Sequence, residues 1–285
     1  MRAVGFVGLG NIGKPMALRL AAGTPQLWVY DVAPEPLAEL GKAGARVAED
    51  LAELAENVDL LCVMVRDDDQ VREVLGRVVG VVRPDGAPSL VVAIHSTVGP
   101  TTPAELADVA GRHGVRLLDA PVSGGPMGAA EGTLAMMVGG PEDAYAEAES
   151  VLSLMASKTV HAGPIGAGTR MKLARNLIHF VSFAAVTEAQ RLAEASGLDL
   201  VALGEVVRHT DAITGGPGAI MYRDTTAPLE PDTFWHGVFT HVAALGEKDL
   251  GFASALADQL GVDVPLARLA LTDLATGLGI RGDER

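Results

Sequence analysis

From residue 3 to about residue 140 the chain repeats one pattern. A short, uninterrupted apolar run is followed by a stretch in which apolar residues recur three and four positions apart. AVGFVG (3–8) precedes a helical stretch from Asn11, QLWVYD (26–31) precedes one from Pro34, and VDLLCVMV (58–65) precedes one through Val71 and Leu75. Runs of this length read as strands buried on both faces. Strands that alternate with helices imply long crossovers and therefore a parallel sheet. Further strands are expected at SLVVAI (89–94), GVRLLDA (114–120) and TLAMMVGG (133–140), the last two separated by the Gly-rich SGGPMGAAEG. After Gly140 the pattern changes: 141–156 reads as a helix, KTVHAG (158–163) as a last strand, and GPIGAG as a punctuated junction near residue 165. Beyond it only helix patterns occur, beginning with a long one from about Gly166 to Ala195 that stops before Gly197. The expected architecture is α/β: a doubly wound parallel sheet over 1–163 and an all-α domain over 164–285, joined by that long helix. The polar tail IRGDER is expected to fray.

Composition narrows the classes of partner. The chain has 285 residues, with 22 Lys and Arg against 36 Asp and Glu, a formal charge of −14. So acidic a chain is repelled by phosphate backbones and acidic membrane surfaces, so neither nucleic acid nor membrane is an expected partner. The single cysteine, Cys62, cannot form an internal disulfide and sits in an apolar strand, where it reads as an inert core thiol. No stretch reaches the roughly 18 uninterrupted apolar residues of a spanning helix. The opening MRAVGFVGLGNIG reads as strand and turn rather than a cleavable leader, and the expectation is a cytoplasmic protein. Apolar helices after residue 166 would leave exposed surface in a monomer, so a homodimer or homotetramer is expected.

The first strand runs into Gly8-Leu9-Gly10-Asn11-Ile12-Gly13, a GxGxxG spacing that opens a helix. The first glycine permits the tight turn, the second lets backbone approach a pyrophosphate, and the third lets the helix pack on its strand. A lone GxGxxG is weak; the strand-to-helix context and Asp31, 18 residues after Gly13 at the end of the second strand, strengthen it. A carboxylate there accepts hydrogen bonds from a ribose 2'-hydroxyl and repels a 2'-phosphate. The reading is a Rossmann-type dinucleotide site that prefers NAD, with NADP as the alternative.

Three more segments, DAPVSGGPMGAAEGTLAMMVGG (119–140), GAGTRMKLARN (166–176) and KDL (248–250), occur with this loop in one order. Together they resemble the β-hydroxyacid dehydrogenase family, which includes 3-hydroxyisobutyrate dehydrogenase and tartronate semialdehyde reductase, over essentially the whole chain. The resemblance implies Lys172 as general acid or base, Ser123, Gly124 and Gly125 as binders of a substrate carboxylate, and Asn176 as its orienting residue. It also implies cofactor contacts from Thr97 and Lys248, and from Arg66 and Gln70 in VRDDDQV. Two departures stand out: Arg66 replaces a family proline, and IHST, with Ile94 and His95 before Ser96 and Thr97, replaces the family's DxST.

Lys172 and Asn176 are four apart, so on a helix they share a face. Burial beside a cofactor would lower the lysine from its usual ~10.4. The expected reaction is reversible hydride transfer between nicotinamide and a small β-hydroxy acid. The alternatives are a tartronate or succinic semialdehyde reductase working in the reductive direction, or a silent dinucleotide-binding module. The presence of Lys172 counts against the silent module and against an imine reductase, and the short helical half against a 6-phosphogluconate-type enzyme. His179, seven residues after Lys172, reads as a helix histidine that would at most tune the pocket, and His95 as a loop residue near the cofactor. His113, His161, His209, His236 and His241 show no ligand spacing, so no metal is expected. The acidic run Asp67 to Asp69 reads as a helix cap and first turn.

Overall fold

The computed structural model describes residues 3–24, 26–82, 87–221 and 225–280, which leaves all of the IRGDER tail except Ile280 outside the described residues. It divides into two compact units, Met1–Arg175 and Asn176–Arg285.

In the first unit, β1 (Val4–Val7), α1 (Gly13–Gly23), β2 (Leu27–Tyr30), α2 (Pro34–Lys42) and β3 (Arg46–Val47) wind in one direction. After α3 (Leu51–Asn57), the strands β4 (Leu60–Val63), β5 (Val91–Ile94) and β6 (Arg116–Asp119), linked through α4 (Asp68–Val78) and α5 (Thr102–Gly111), wind in the other. The sheet order β3-β2-β1-β4-β5-β6 therefore reverses between β1 and β4, and the crevice at the carboxyl ends of those strands is where such sheets bind ligands. The continuous apolar runs follow from burial on both faces. Along β4, Leu60 and Cys62 join one core with Phe6, Met16 and Leu20, while Leu61 and Val63 join the other with Val7, Leu54 and Val74. Burial pushes the Cys62 thiol far above its ordinary range, as an inert core thiol requires. Asp67 caps α4 by accepting the Gln70 N–H at 3.0 Å, and Asp68 and Asp69 occupy the first turn, as the charge run implies.

Beyond β6 the sheet departs from the all-parallel expectation. β7 (Val122–Ser123) and β8 (Leu134–Gly139) pair antiparallel, β8 also meets β6 antiparallel at Asp119, and β9 (Ala156–Gly163) returns parallel to β8. The expected strand at 158–163 thus starts two residues earlier, and α7 (Glu142–Leu152) is shorter than the expected 141–156. The Gly-rich segment between the strands is not merely a loop: Gly125–Glu131 forms a short helix, α6, with Pro126 near its start and Gly132 closing it in the left-handed region. In both places local geometry overrode the simple reading.

The regular elements of the second unit are all helices among its described residues. The long α8 (Ala167–Ala195) runs into it, followed by α9 (Leu200–Thr214), a 3-10 turn at Gly216–Ile220, α10 (Phe234–Leu260) and α11 (Pro265–Gly277). Phe239 and Ala243 of α10 pack on Ala275 of α11 and on Leu278. The buried Glu188 of α8 accepts the Leu266 and Ala267 N–H groups at 2.9 and 3.1 Å, which ties α8 to the start of α11. No described helix is long and apolar enough to cross a membrane.

Candidate active site

A cleft of about 690 Å³ opens at the β1/β4 reversal. Gly8, Gly10, Asn11, Ile12 and Gly13 form one wall, Asp31 and Val32 a second, and Arg66, Gln70 and Thr97 a third. The glycine spacing has the physical basis the sequence implied. A Cβ at Gly13 would lie 1.9 Å from the Gly8 carbonyl oxygen, whereas one at Gly10 would meet open space. The α1 helix starts without a side-chain cap and without an acidic residue in its first turn, which leaves its N-terminal dipole facing the cleft uncompensated. Asp31 binds the loop to the second strand: one carboxylate oxygen accepts the buried Leu9's N–H at 2.5 Å and the other the Ala33 N–H at 2.8 Å. A carboxylate offers about four acceptor positions, so two remain for ribose hydroxyls.

The third wall is built by side chains that hold backbone. Gln70 accepts the Arg66 N–H at 3.0 Å, and the Arg66 guanidinium turns to Asp67 at 2.9 Å. Ser96 stitches β5 to β4: its hydroxyl accepts the Val65 N–H at 2.9 Å and donates to the Val65 carbonyl at 2.8 Å. Thr97 beside it is exposed to the cleft. Asp68 takes the Gly99 N–H at 3.0 Å and the Thr102 hydroxyl at 2.5 Å, so the loop after Thr97 is pinned to α4. His95 follows β5 outside any strand, as the expectation of a loop residue has it, and it is buried: it is 1% exposed, stacks on Phe6, and reaches the Ala120 carbonyl through Nδ1 at 2.9 Å. Its burial lowers the imidazole to about 4 and keeps it neutral, so Nδ1 carries the proton and donates.

Lys172, on the second turn of α8, is 8% exposed. Its Nζ donates to the Val122 carbonyl at 2.6 Å and to Ser123 Oγ at 2.8 Å. The structure thus brings together two of the residues that sequence reasoning assigned to one reaction, from segments 49 positions apart. Burial, and next the charge of Arg175, lower the lysine from 10.5 to about 8. Gly124 and Gly125 follow Ser123 with φ of +131° and +65°, and a Cβ at Gly125 would meet nothing within 4 Å. That turn is open beside the lysine's hydroxyl partner.

Asn176 lies one turn beyond Lys172 on α8 and is half-buried. His179 packs against Phe183, ring centres 4.2 Å apart, in a cluster with Phe180. Lys248 is exposed on α10 and pairs with Asp249 at 3.1 Å. Sequence reasoning assigned nothing to Asp119, the first residue of the 119–140 signature, yet it is wholly buried and accepts two N–H groups at the start of α8. An acid near the end of the apolar run GVRLLDA, before a signature rich in turns, was the only local signal.

Residues 3–163 match the family described as the NAD binding domain of 6-phosphogluconate dehydrogenase, and residues 166–281 the one described as NAD-binding of NADP-dependent 3-hydroxyisobutyrate dehydrogenase. Among curated proteins, the mitochondrial 3-hydroxyisobutyrate dehydrogenase of Mus musculus is 34% identical over 96% of this chain and 77% of its own length. The chain belongs to the β-hydroxyacid dehydrogenase family. Two solved structures are also similar. An oxidoreductase from Mycobacterium avium 104 is 50% identical, with a TM-score of 0.92 over 97% of this chain and 98% of that one. The Mycobacterium tuberculosis 3-hydroxyisobutyrate dehydrogenase, solved with L-serine, is 32% identical, with a TM-score of 0.68 over 98% and 95%. As a member of that family the protein is an NAD(P)-dependent oxidoreductase that works by hydride transfer. The cleft fits that cofactor: the space beside Gly10 admits a pyrophosphate against backbone, and Asp31 keeps acceptor capacity for a ribose.

Proposed function

We propose that this dehydrogenase interconverts a short β-hydroxy monocarboxylate and its carbonyl form, prefers NAD, and uses Lys172 to move the proton. The observation that carries this reading is the pair of hydrogen bonds from Lys172 Nζ to the Val122 carbonyl and Ser123 Oγ. A neutral amine has two N–H groups and one lone pair. With both N–H groups donated to those acceptors, the lone pair occupies a remaining tetrahedral direction, where it can take a hydroxyl proton. In the ammonium form the third N–H occupies that direction and returns the proton to a carbonyl oxygen. Ser123, accepting from the lysine, keeps its own O–H for a substrate carboxylate, and the Gly124 and Gly125 amides complete an anion-binding turn. Asn176, on the same helix face, orients the substrate. Bound NAD supplies the hydride acceptor in oxidation and, when reduced, the donor in reduction. With one lysine at one end and one anion-binding turn at the other, only a few carbons fit between carboxylate and hydroxyl. L-serine, present in the related structure, and 3-hydroxyisobutyrate both meet that requirement.

The exposed apolar residues Leu177, Phe180 and Phe183 of α8 support a homodimer or homotetramer, which light scattering after gel filtration checks. The single cysteine and acidic charge support a cytoplasmic location.

The test is a panel of 3-hydroxyisobutyrate, serine, glycerate, 3-hydroxypropionate and 4-hydroxybutyrate, each beside its neutral alcohol, with Lys172→Ala on the best substrate. Acids are expected to exceed matching alcohols more than tenfold in kcat/KM. Lys172→Ala is expected to lower kcat by roughly 10² to 10⁴ with cofactor affinity nearly unchanged. Equal rates on an acid and its alcohol would remove the substrate class, and turnover within threefold of the parent would remove the lysine's role.

A further inference from the structure

The lysine is held at two points, and only one of them is at its own amine. Residues 119–123 form a short segment from the end of β6 through β7. Its last two residues supply the acceptors for Lys172 Nζ, the Val122 carbonyl and Ser123 Oγ. Its first residue, Asp119, faces the start of the helix that carries the lysine. There, one carboxylate oxygen accepts the Gly166 N–H at 2.7 Å and the other the Thr169 N–H at 2.6 Å. Both would otherwise be among the donors that a helix N-terminus leaves without an intrahelical partner. Thr169 precedes Lys172 by three residues, about 4.5 Å of helix rise.

The packing around this contact leaves no slack. A Cβ at Gly139 would lie 2.4 Å from Asp119 Oδ1 and 2.8 Å from the backbone nitrogens of both Ala167 and Gly168. A Cβ at Gly168 would lie 2.2 Å from the Met137 carbonyl oxygen and 2.5 Å from that of Asp119. The helix therefore starts against bare backbone of β6 and β8. The segment is braced from its other side as well, because Ala120 donates its N–H to the Ile94 carbonyl at 2.7 Å and accepts from His95 Nδ1 at 2.9 Å.

We propose that Asp119 is a positioning residue for the reaction: by fixing the first turn of α8 to the segment that also holds Nζ, it sets the place of the lysine amine. The proposal rests on the role of Lys172 given above. Its function is distinct from that of an ordinary helix cap, because cap and amine acceptors belong to the same five residues. The helix cannot shift along its axis without breaking one set or the other. Loss of the carboxylate removes the hydrogen bonds of one anchor and leaves the first turn of α8 held by its packing against β6 and β8, with the amine as the remaining polar tether to the segment.

Asp119→Asn and Asp119→Ala are compared with Lys172→Ala in the full-length enzyme, with cofactor binding titrated so that turnover is counted per binding site. Asp119→Asn, which keeps one acceptor, is expected to lose about ten- to a hundredfold in kcat per site, the range a displacement near 1 Å produces. KM is expected to stay within about threefold, cofactor affinity to be unchanged, and Asp119→Ala to be slower still. Parent-like kcat per cofactor site in Asp119→Asn, with fewer sites, would show a purely structural acid and overturn the proposal. If Lys172→Ala itself keeps full turnover, the underlying reading fails instead, which separates the two. Should neither Asp119 variant fold, hydrogen exchange on the unaltered enzyme decides: the Gly166 and Thr169 amides are expected to exchange as slowly as those of the core strands. Exchange as fast as at a free helix end would overturn the proposal.

Discussion

Lys172 gives a quantitative expectation for pH dependence. On the role proposed for Lys172, the neutral amine accepts the proton in the oxidative direction, so activity follows the deprotonated fraction and is lost as pH falls through the lysine's pKa. With that pKa near 8, the neutral fraction is about one eleventh at pH 7 and about ten elevenths at pH 9. The expected rise in kcat/KM between those values is therefore about tenfold, with a plateau above about pH 9. A lysine at its ordinary 10.5 behaves differently. It would be neutral in roughly one molecule in 3,000 at pH 7 and in about 3% at pH 9, so the rise would be about a hundredfold and would not level off below pH 10. Initial rates of nicotinamide reduction, at several substrate concentrations and constant ionic strength, distinguish the two curves. Arg175→Gln removes the second of the two causes and should move the midpoint upward, while burial, the first cause, keeps it below 10.5. A profile still climbing at pH 10, or one already flat at pH 7, would refute the assignment of the pKa to the buried Lys172 as the base.

Asp31→Ser removes the charge that repels a 2'-phosphate and is expected to narrow or invert a preference for NAD over NADP, read as kcat/KM for both on one substrate. A tenfold preference for NADP in the unaltered enzyme would show that a basic group elsewhere in the cleft outweighs Asp31. Glu188→Ala strands two N–H groups at the start of α11 and is expected to destabilise the helical unit by about 1 to 3 kcal/mol, read from urea unfolding. A midpoint unchanged from the parent would show that solvent satisfies those groups without cost.

The parts of this molecule that were legible from sequence are those where one residue type answers one local demand. Burial on both faces of β4 demands four apolar residues in a row, and Leu60 to Val63 announce it. The 1.9 Å approach of a would-be Cβ at Gly13 demands a glycine, and the glycine spacing announces that too. The two-residue β3 and the seven-residue α3 passed unnoticed because they are too short to establish a period. The α6 helix was hidden by glycines at 125 and 128, which lower helix propensity, although Pro126 at its start and Gly132 past its end were the punctuation of a helix. The antiparallel β7 and β8 pair was concealed by the regular alternation before it. Ser123 and Lys172 were joined beforehand only by family resemblance; their separation of 49 positions leaves no trace in local periodicity. Asp119 and His95 were harder, since a buried polar group is recognised by partners that lie elsewhere in the chain.

One of the two acceptors that hold Lys172 is the main-chain carbonyl of Val122. A side-chain anchor can be deleted by a single base change, whereas a peptide carbonyl is present whatever amino acid the codon specifies. Over generations, residues 122 and 123 can change identity while the lysine keeps a hydrogen bond that no substitution at either position deletes. The same asymmetry serves a protein engineer. Position 123 can be varied broadly with the amine still tethered to the Val122 carbonyl, which, on the roles proposed above, changes what is recognised while the base stays in place.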